Sequence, residues 1–399
     1  MKIVILGAGY AGLRVALDLA TAKVRDQIET ELVLVDRNDY HQVITWLHQV
    51  AADAIPPERA RVPLPGLFPA GALAFVQAEV RAIQPDQRRV LTDAGPIAYD
   101  RLVIALGSDT VWPLIPGLAE AALPLRWWDE ARALKQHIIE QFAAAARADS
   151  AEERRCRMTV VVAGGGYTGT QLAGELTHWT PVLADQYSLP LTGIRLLLVE
   201  AQERLMPGWQ PKLSHRASAI LRRKGVDVRV NTPVIRVEGR FVTLGRPGGG
   251  EETICAGTLV WAGGVRPPAL LAEAGLRTDP DGRVPVNRFL QAQGEPDIFV
   301  IGDSAFYLNG GEPLAATASN ALRQGEYVAE VLIAQCQGKP YEPYQPTRPG
   351  VLVSLGGNDG VGDALGLPLT GLPAGLLKEG VERWYLTTIG ALRPQGRND

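Results

Sequence analysis

The sequence predicts an α/β protein in which two parallel sheets, each opened by a glycine-rich turn from strand to helix, precede a small C-terminal module. Three observations carry that expectation. First, a short apolar run leads directly into a glycine cluster twice: Lys2–Leu6 before Gly7-Ala8-Gly9-Tyr10-Ala11-Gly12, and Thr159–Ala163 before Gly164-Gly165-Gly166-Tyr167-Thr168-Gly169. Second, each cluster opens an apolar pattern of helical period, with Leu13, Ala16, Leu17 and Ala20 in one and Leu172, Ala173 and Leu176 in the other. Third, each helix gives way to another apolar run that ends on an acid, Leu32–Val35 before Asp36 and Leu196–Val199 before Glu200. Strand, helix and strand, twice over, make two βαβ units.

In the first unit Gly7 makes the tight turn, Gly9 lets the backbone approach a diphosphate, and Gly12 lets helix lie on strand. The helix N-terminus then offers free N–H groups and a partial positive charge, and Asp36 is placed to accept the hydroxyls of an adenosine ribose. The alanine-rich stretch Glu140–Arg157 reads as one helix with a solvated end, and Asp129-Glu130 and Glu152-Glu153 as solvated helix faces. The second unit repeats the first through Gly164, Gly166, Gly169 and Glu200. An acid at that position repels a 2′-phosphate and so favours NADH over NADPH, a preference that Arg204 softens.

Val260–Val265 and Asp297–Asp303 read as later buried strands ending in turns. Two nucleotide turns followed far downstream by Ile301-Gly302-Asp303 point to FAD, with Asp303 reaching its ribitol or pyrophosphate. Helical periodicity from Pro313 to Leu332 starts a helix at Pro313, its N-terminus directed at the flavin pyrimidine edge, where negative charge develops on reduction. Four prolines in Pro340–Pro349 mark a linker to the last module. In Gly371–Leu392, Leu377, Val381, Trp384 and Leu392 fall on one helical face, with Lys378, Glu379, Glu382 and Arg383 elsewhere. Trp384-Tyr385 suits a membrane interface. The stripe needs a cover: a membrane surface, the first domain, or a second copy of the chain in a homodimer.

Composition narrows the classes. A chain of 399 residues suits two domains plus an accessory piece, and 46% apolar with 21% charged residues is the balance of an ordinary globular protein. A net charge of −3 gives no field for a nucleic-acid partner. Cys156, Cys255 and Cys336 lie far apart without a C-x-x-C pair, which argues against a disulfide framework, a zinc site and a dithiol centre. The expected compartment is therefore reducing and cytoplasmic. On this reading Cys255 is a buried or edge-strand thiol and Cys336 a helix-packing residue. The five histidines lack metal-ligand spacing, so no metal is expected, and His41 is either a loop histidine bonded to backbone or a neighbour of the flavin. No signal peptide is visible and no apolar run is long enough to span a bilayer, so any membrane contact is peripheral.

These segments together resemble the two-dinucleotide-domain flavoprotein reductases, and specifically the type II NADH:quinone dehydrogenases. The resemblance covers roughly residues 1–334. Besides the glycine turns it rests on Leu47-His48-Gln49-Val50-Ala51, Leu102-Val103-Ile104-Ala105-Leu106-Gly107-Ser108, Ile115-Pro116-Gly117, and Gly169–Leu176. It rests too on Trp261–Val265 and on Gly282–Val286 running into Ile301-Gly302-Asp303. It implies two Rossmann-like dinucleotide-binding domains, an FAD domain built from 1–118 and 253–335 with an NAD domain inserted at 119–252, and a C-terminal module at 340–399. It implies that NADH passes hydride to FAD and that a quinone, or another small-molecule acceptor, collects two electrons, and it places any membrane contact on the inner face. Ala105, Gly107 and Gly302 then join the FAD site, Glu175 lies near the nicotinamide, and Gln324 lies at the boundary between flavin and acceptor. The family's quinone-side motif resembles A-Q-x-A-x-Q-Q-G, whereas this chain has Ala318-Ser319-Asn320-Ala321-Leu322-Arg323-Gln324-Gly325, with both Ser319 and Arg323 in place of glutamine. A soluble NAD(P)H:acceptor reductase and a redox-sensing binding protein are the other readings compatible with the same turns.

Overall fold

The computed structural model describes residues 1–347 and 350–392. Strand β1 (Lys2–Leu6), helix α1 (Tyr10–Arg25) and strand β2 (Glu31–Asp36) form the first unit. β1 and β2 pair in parallel, Lys2 beside Glu31 through Leu6 beside Val35, a geometry that needs the intervening helix as a crossover. Ile3, Val4, Ile5 and Leu6 are wholly buried, as expected of a central strand covered on both faces. The short helix α2 (Leu47–Ala51) follows, then β3 (Ala74–Gln77) beside β2 and β4 (Arg101–Ile104) beside β1.

The chain then enters a second sheet at β5 (Leu123–Pro124), followed by α3 (Trp128–Ala146) and α4 (Ala151–Arg157). β6 (Thr159–Ala163), α5 (Tyr167–Gln186), β7 (Arg195–Val199), α6 (Pro211–Arg223), β8 (Val226–Arg229) and β9 (Thr258–Trp261) complete it. Its order is β5-β9-β6-β7-β8, parallel throughout. β10 (Gln291–Ala292) and β11 (Glu295–Val300) return to the first sheet, whose order is β10-β11-β4-β1-β2-β3 with only β10 antiparallel. Helix α7 (Ala318–Gln337) lies along α1, and Gly325 allows the approach: a Cβ there would stand 2.5 Å from the Ala11 carbonyl oxygen. The antiparallel strands β12 (Gly350–Ser354), β13 (Gly360–Ala364) and β14 (Leu367–Gly371) with helix α8 (Leu372–Thr388) form the last module.

Several expectations are corrected. Thr258–Trp261 pairs with Thr159–Ala163, so the second sheet takes in chain beyond residue 252 and the boundary between 252 and 253 falls inside it. Glu140–Arg157 is two helices, broken between Ala146 and Ser150, and the Ser150 hydroxyl caps the second by accepting the Glu153 N–H. Glu130 is not simply a solvated acid, since its carboxylate accepts the N–H groups of Arg126 and Trp127 at the start of α3. Pro313 sits in a short hairpin strand, and α7 begins at Ala318 with Thr317 as its cap. The strand expected at 297–303 ends at Val300, before a turn at Gly302–Ser304.

The cysteine reading also fails. Cys156 and Cys255 form a disulfide, with Cα atoms 5.0 Å apart and a sequence separation of 99. Sequence distance hid the pair because α4 and the hairpin strand Glu251–Cys255, far apart along the chain, are brought together in the fold, where the Gly257 N–H also bonds the Cys156 carbonyl. Only Cys336 is a free thiol. Among the described residues no helix is long and apolar enough to cross a membrane. The module expected at 340–399 is described only in part, since 348–349 and 393–399 lie outside the described residues.

Candidate functional site

The two glycine turns share one geometry. Gly7 and Gly164 adopt φ of +96° and +113°, a region open to glycine at no steric cost. Gly9 has φ −71° and ψ −169°, Gly166 φ −69° and ψ −168°, and each caps its helix without a side chain. A Cβ on Gly12 would strike the Gly7 carbonyl oxygen, and one on Gly169 would strike that of Gly164. Around Gly9 and Gly166, by contrast, no heavy atom lies within 4 Å of where a Cβ would stand, so open space lies over each helix N-terminus. That is the shape and polarity a diphosphate requires. The acids follow the same plan. Asp36 Oδ2 accepts the Ala8 N–H at 2.6 Å and Oδ1 the Asn38 N–H at 2.8 Å. Glu200 Oε2 accepts the Gly165 N–H at 2.6 Å and Oε1 the Gln202 N–H at 2.8 Å. Each acid therefore braces its own glycine turn, a task the motif alone did not reveal. Burial pushes the Asp36 carboxyl up, against the pull of its two backbone donors.

The carboxyl edge of the first sheet gathers the remaining residues of the first site. A Cβ on Gly7 would strike the Ala105 carbonyl, and one on Gly302 would touch the Ala11 and Ala321 side chains. The Gly302 N–H donates to Gln324 Oε1 at 2.6 Å, so the buried Gln324 holds the turn at Gly302. Ser304 Oγ donates to the Gly107 carbonyl at 3.0 Å. Asp303 is held by two donors, Ser108 Oγ at 2.7 Å and Arg126 Nη2 at 2.9 Å. Ligands of open α/β sheets bind outside this edge.

Helix α2 joins the two halves. His48 packs against α5, where its Nε2 accepts from Gln171 Nε2 at 3.2 Å and lies 3.9 Å from Glu175 Oε1. Glu175 is only 5% exposed, not a surface acid, and Ser354 Oγ of β12 donates to it at 3.0 Å. Burial raises the Glu175 carboxyl and lowers the His48 imidazole well below its usual range, so burial favours the neutral form of both. His41 is on a strand, not a loop. Its Nδ1–H donates to the Ala8 carbonyl at 2.8 Å, and its Nε2 accepts from the Tyr385 hydroxyl at 2.9 Å. Burial lowers it to about 4.

Tyr385 is thus buried rather than interfacial, stacked on Tyr10 with ring centres 4.5 Å apart. Lys378 likewise turns inward, where Nζ donates to Glu382 Oε1 at 2.6 Å. The opposite side of α8 leaves Leu372, Leu376, Leu377, Val381 and Trp384 exposed, with Leu392 exposed beyond the helix end. Sequence reasoning missed Ser108, Arg126, His48, Gln171, Ser354 and Lys378 as parts of this region. Ser108 and His48 stood inside the segments that carry the family resemblance, whereas Arg126, Ser354 and Lys378 carry no local signal.

Two sheets, each with a diphosphate-shaped turn and a bracing acid, define the class. A family model for pyridine nucleotide-disulphide oxidoreductases matches residues 1–325, and the chain belongs to that family. Within it the chain belongs with the type II NADH:quinone oxidoreductases. It is 33% identical over 395 residues to the protein of that name in Staphylococcus saprophyticus, covering 98% of this chain and 96% of that one. The Staphylococcus aureus protein matches at the same identity and coverage. The fold is that of NDH2 from Plasmodium falciparum, solved in complex with NADH, at a TM-score of 0.84, 17% identity and 97% coverage of both chains. The sulfide:quinone oxidoreductase of Aquifex aeolicus aligns with a TM-score of 0.80 at 19% identity, over 97% of this chain and 91% of that one. No cysteine lies in the segments forming either glycine turn, and the disulfide precedes β6 at its amino end, the end remote from Gly164.

Proposed function

We propose that this protein oxidises NADH and reduces a quinone, with FAD at the first sheet and NADH at the second. The observation that carries the reading is the repeated turn geometry at Gly7–Gly12 and Gly164–Gly169, joined through the buried contact of His48 with Gln171 and Glu175. Gly7, Gly9, Gly12, Asp36, Ala105, Gly107, Gly302 and Asp303 would hold FAD. Gly164, Gly166, Gly169 and Glu200 would hold NADH, and the Glu200 carboxylate disfavours a 2′-phosphate. Bound FAD supplies the hydride acceptor and two-electron donor that side chains lack. The chain's part is to orient and to exclude water. Reduction of a quinone by NADH consumes one proton from solution, and Glu175, buried against His48 and Ser354 and keeping its proton to a higher pH than a free carboxyl, would be the group to hold it. Gln324 acts by fixing Gly302, at the edge where the acceptor must approach.

Anaerobic stopped-flow tests this. Mixing with NADH should bleach the visible flavin absorbance rapidly, and a water-soluble menaquinone analogue should restore it as fast. Rapid bleaching without recovery would instead favour a reductase with another acceptor, the reading suggested by Ser319 and Arg323. Material that neither carries nor takes up FAD would end the proposal.

The exposed apolar side of α8 fits peripheral docking on the inner face of a membrane, where a lipid-soluble acceptor resides. Sedimentation with anionic vesicles should carry the protein down. If it stays in the supernatant and runs as a dimer, a second copy covers that face.

A further inference from the structure

We infer that Arg126, together with Ser108, is a cofactor-binding residue that supplies the fixed positive charge of the first site and retains FAD through its diphosphate. The inference rests on the FAD assignment above. An FAD site built only from Gly7–Gly12, Asp36 and Asp303 has an electrostatic fault, because two carboxylates flank a ligand that is itself dianionic. A helix N-terminus offsets only part of that. Arg126 completes the balance. Its Nη2 donates to Asp303 Oδ2 at 2.9 Å and to Ser108 Oγ at 2.8 Å, while its Nε donates to the Ser108 carbonyl at 2.8 Å. The guanidinium also lies 3.8 Å from where a Cβ on Gly107 would stand. It is therefore fixed over the carboxyl ends of β4 and β11, the edge outside which ligands of such sheets bind.

The backbone is built to deliver it there. Arg126 belongs to the segment that opens the second sheet, yet Gln42 draws that segment back over the first. Gln42 Nε2 donates to the Arg126 carbonyl at 3.0 Å, and Gln42 Oε1 accepts the Trp128 N–H at 2.7 Å. Glu130 takes the N–H groups of Arg126 and Trp127. Trp127 donates to Asp109 at 2.8 Å and carries the Arg37 guanidinium 4.1 Å over its ring, so a second cation stands beside Asp36. Arginine suits this place better than lysine, since its planar fork can serve Asp303, Ser108 and a phosphate oxygen together.

The test uses the purified holoenzyme, following FAD fluorescence as the cofactor leaves on dilution or heating, with far-UV circular dichroism reporting the polypeptide separately. Arg126→Gln should release FAD at least about ten-fold faster at a temperature where the chain is still folded, and Arg126→Lys, which keeps charge but not the fork, should fall between it and the wild type. Release from Arg126→Gln at the wild-type rate overturns the inference. So does equal leakiness of Arg126→Lys and Arg126→Gln, or flavin loss that only tracks unfolding. A wild-type protein that binds no FAD would defeat the earlier proposal rather than this one.

Discussion

At the scale of single residues, the glycine turns make sharply different demands. Gly9 and Gly166 combine ordinary extended φ with empty space, so an added methyl costs the fold about 1 kcal/mol or less but fills a cradle. Gly9→Ala is expected to unfold like wild type while losing most of its flavin. Gly166→Ala should keep the flavin and raise the KM for NADH. Gly12→Ala must push the Gly7 carbonyl aside, and we expect a loss of at least about 2 kcal/mol in urea unfolding. These residues were legible in the sequence because a strand-to-helix turn is local chemistry. Arg126 was not, since nothing near it in sequence shows that Gln42 will turn its segment toward Asp303. The buried histidines set a pH response. His41 titrates at about 4 in the folded chain and near 6.5 when unfolded, so the unfolded state takes up its proton first as pH falls. Its contribution is complete above pH 6.5 and is lost as pH drops toward 4. Stability should fall by about 2 kcal/mol between pH 7 and 5 on account of His41 alone, and His41→Gln should flatten that slope in urea titrations. His48 works in the same direction, and Glu175, whose proton is held more tightly in the folded chain, works in the opposite one.

At the scale of elements, the parallel strands were readable because burial on both faces demands continuous apolar runs, as in Val160, Val161 and Val162 of β6. Helix α8 was harder. Its amphipathic pattern was visible, but periodicity cannot say which side meets the protein. Lys378 and Glu382 satisfy each other inside, Tyr385 stacks on Tyr10, and the leucine stripe turns outward. A paired charge is tolerated there, whereas an isolated lysine would not be. Substituting Val381→Glu and Trp384→Glu together should abolish vesicle binding, yet shift the unfolding midpoint little, because both side chains are about half exposed. Turnover with a water-soluble acceptor should survive. Vesicle binding that persists in the double variant would remove α8 as the docking element.

At the scale of the whole molecule, the Cys156–Cys255 bridge closes a loop that contains β6, β7 and β8 with their helices, three of the five strands of the second sheet. Cross-linking a loop of that length removes unfolded-state entropy worth up to about 5 kcal/mol. Reduction, or the Cys156→Ser and Cys255→Ser double variant, should lower the melting midpoint by about 10 °C. NADH-dependent bleaching of the flavin should be unchanged, because the bridge lies at the far end of β6 from the glycine turn. Equal melts with and without reductant would refute it. The appended module has a different reach. Ser354 leaves it to bond Glu175, and Tyr385 leaves it to bond His41, so the same small sheet and helix grip both cradles at once. Thermodynamic linkage makes such a grip symmetrical. If a surface seated on α8 tightens the hold on NADH by some factor, NADH must tighten the hold on that surface by the same factor, and the supply of NADH would then set how often α8 is covered.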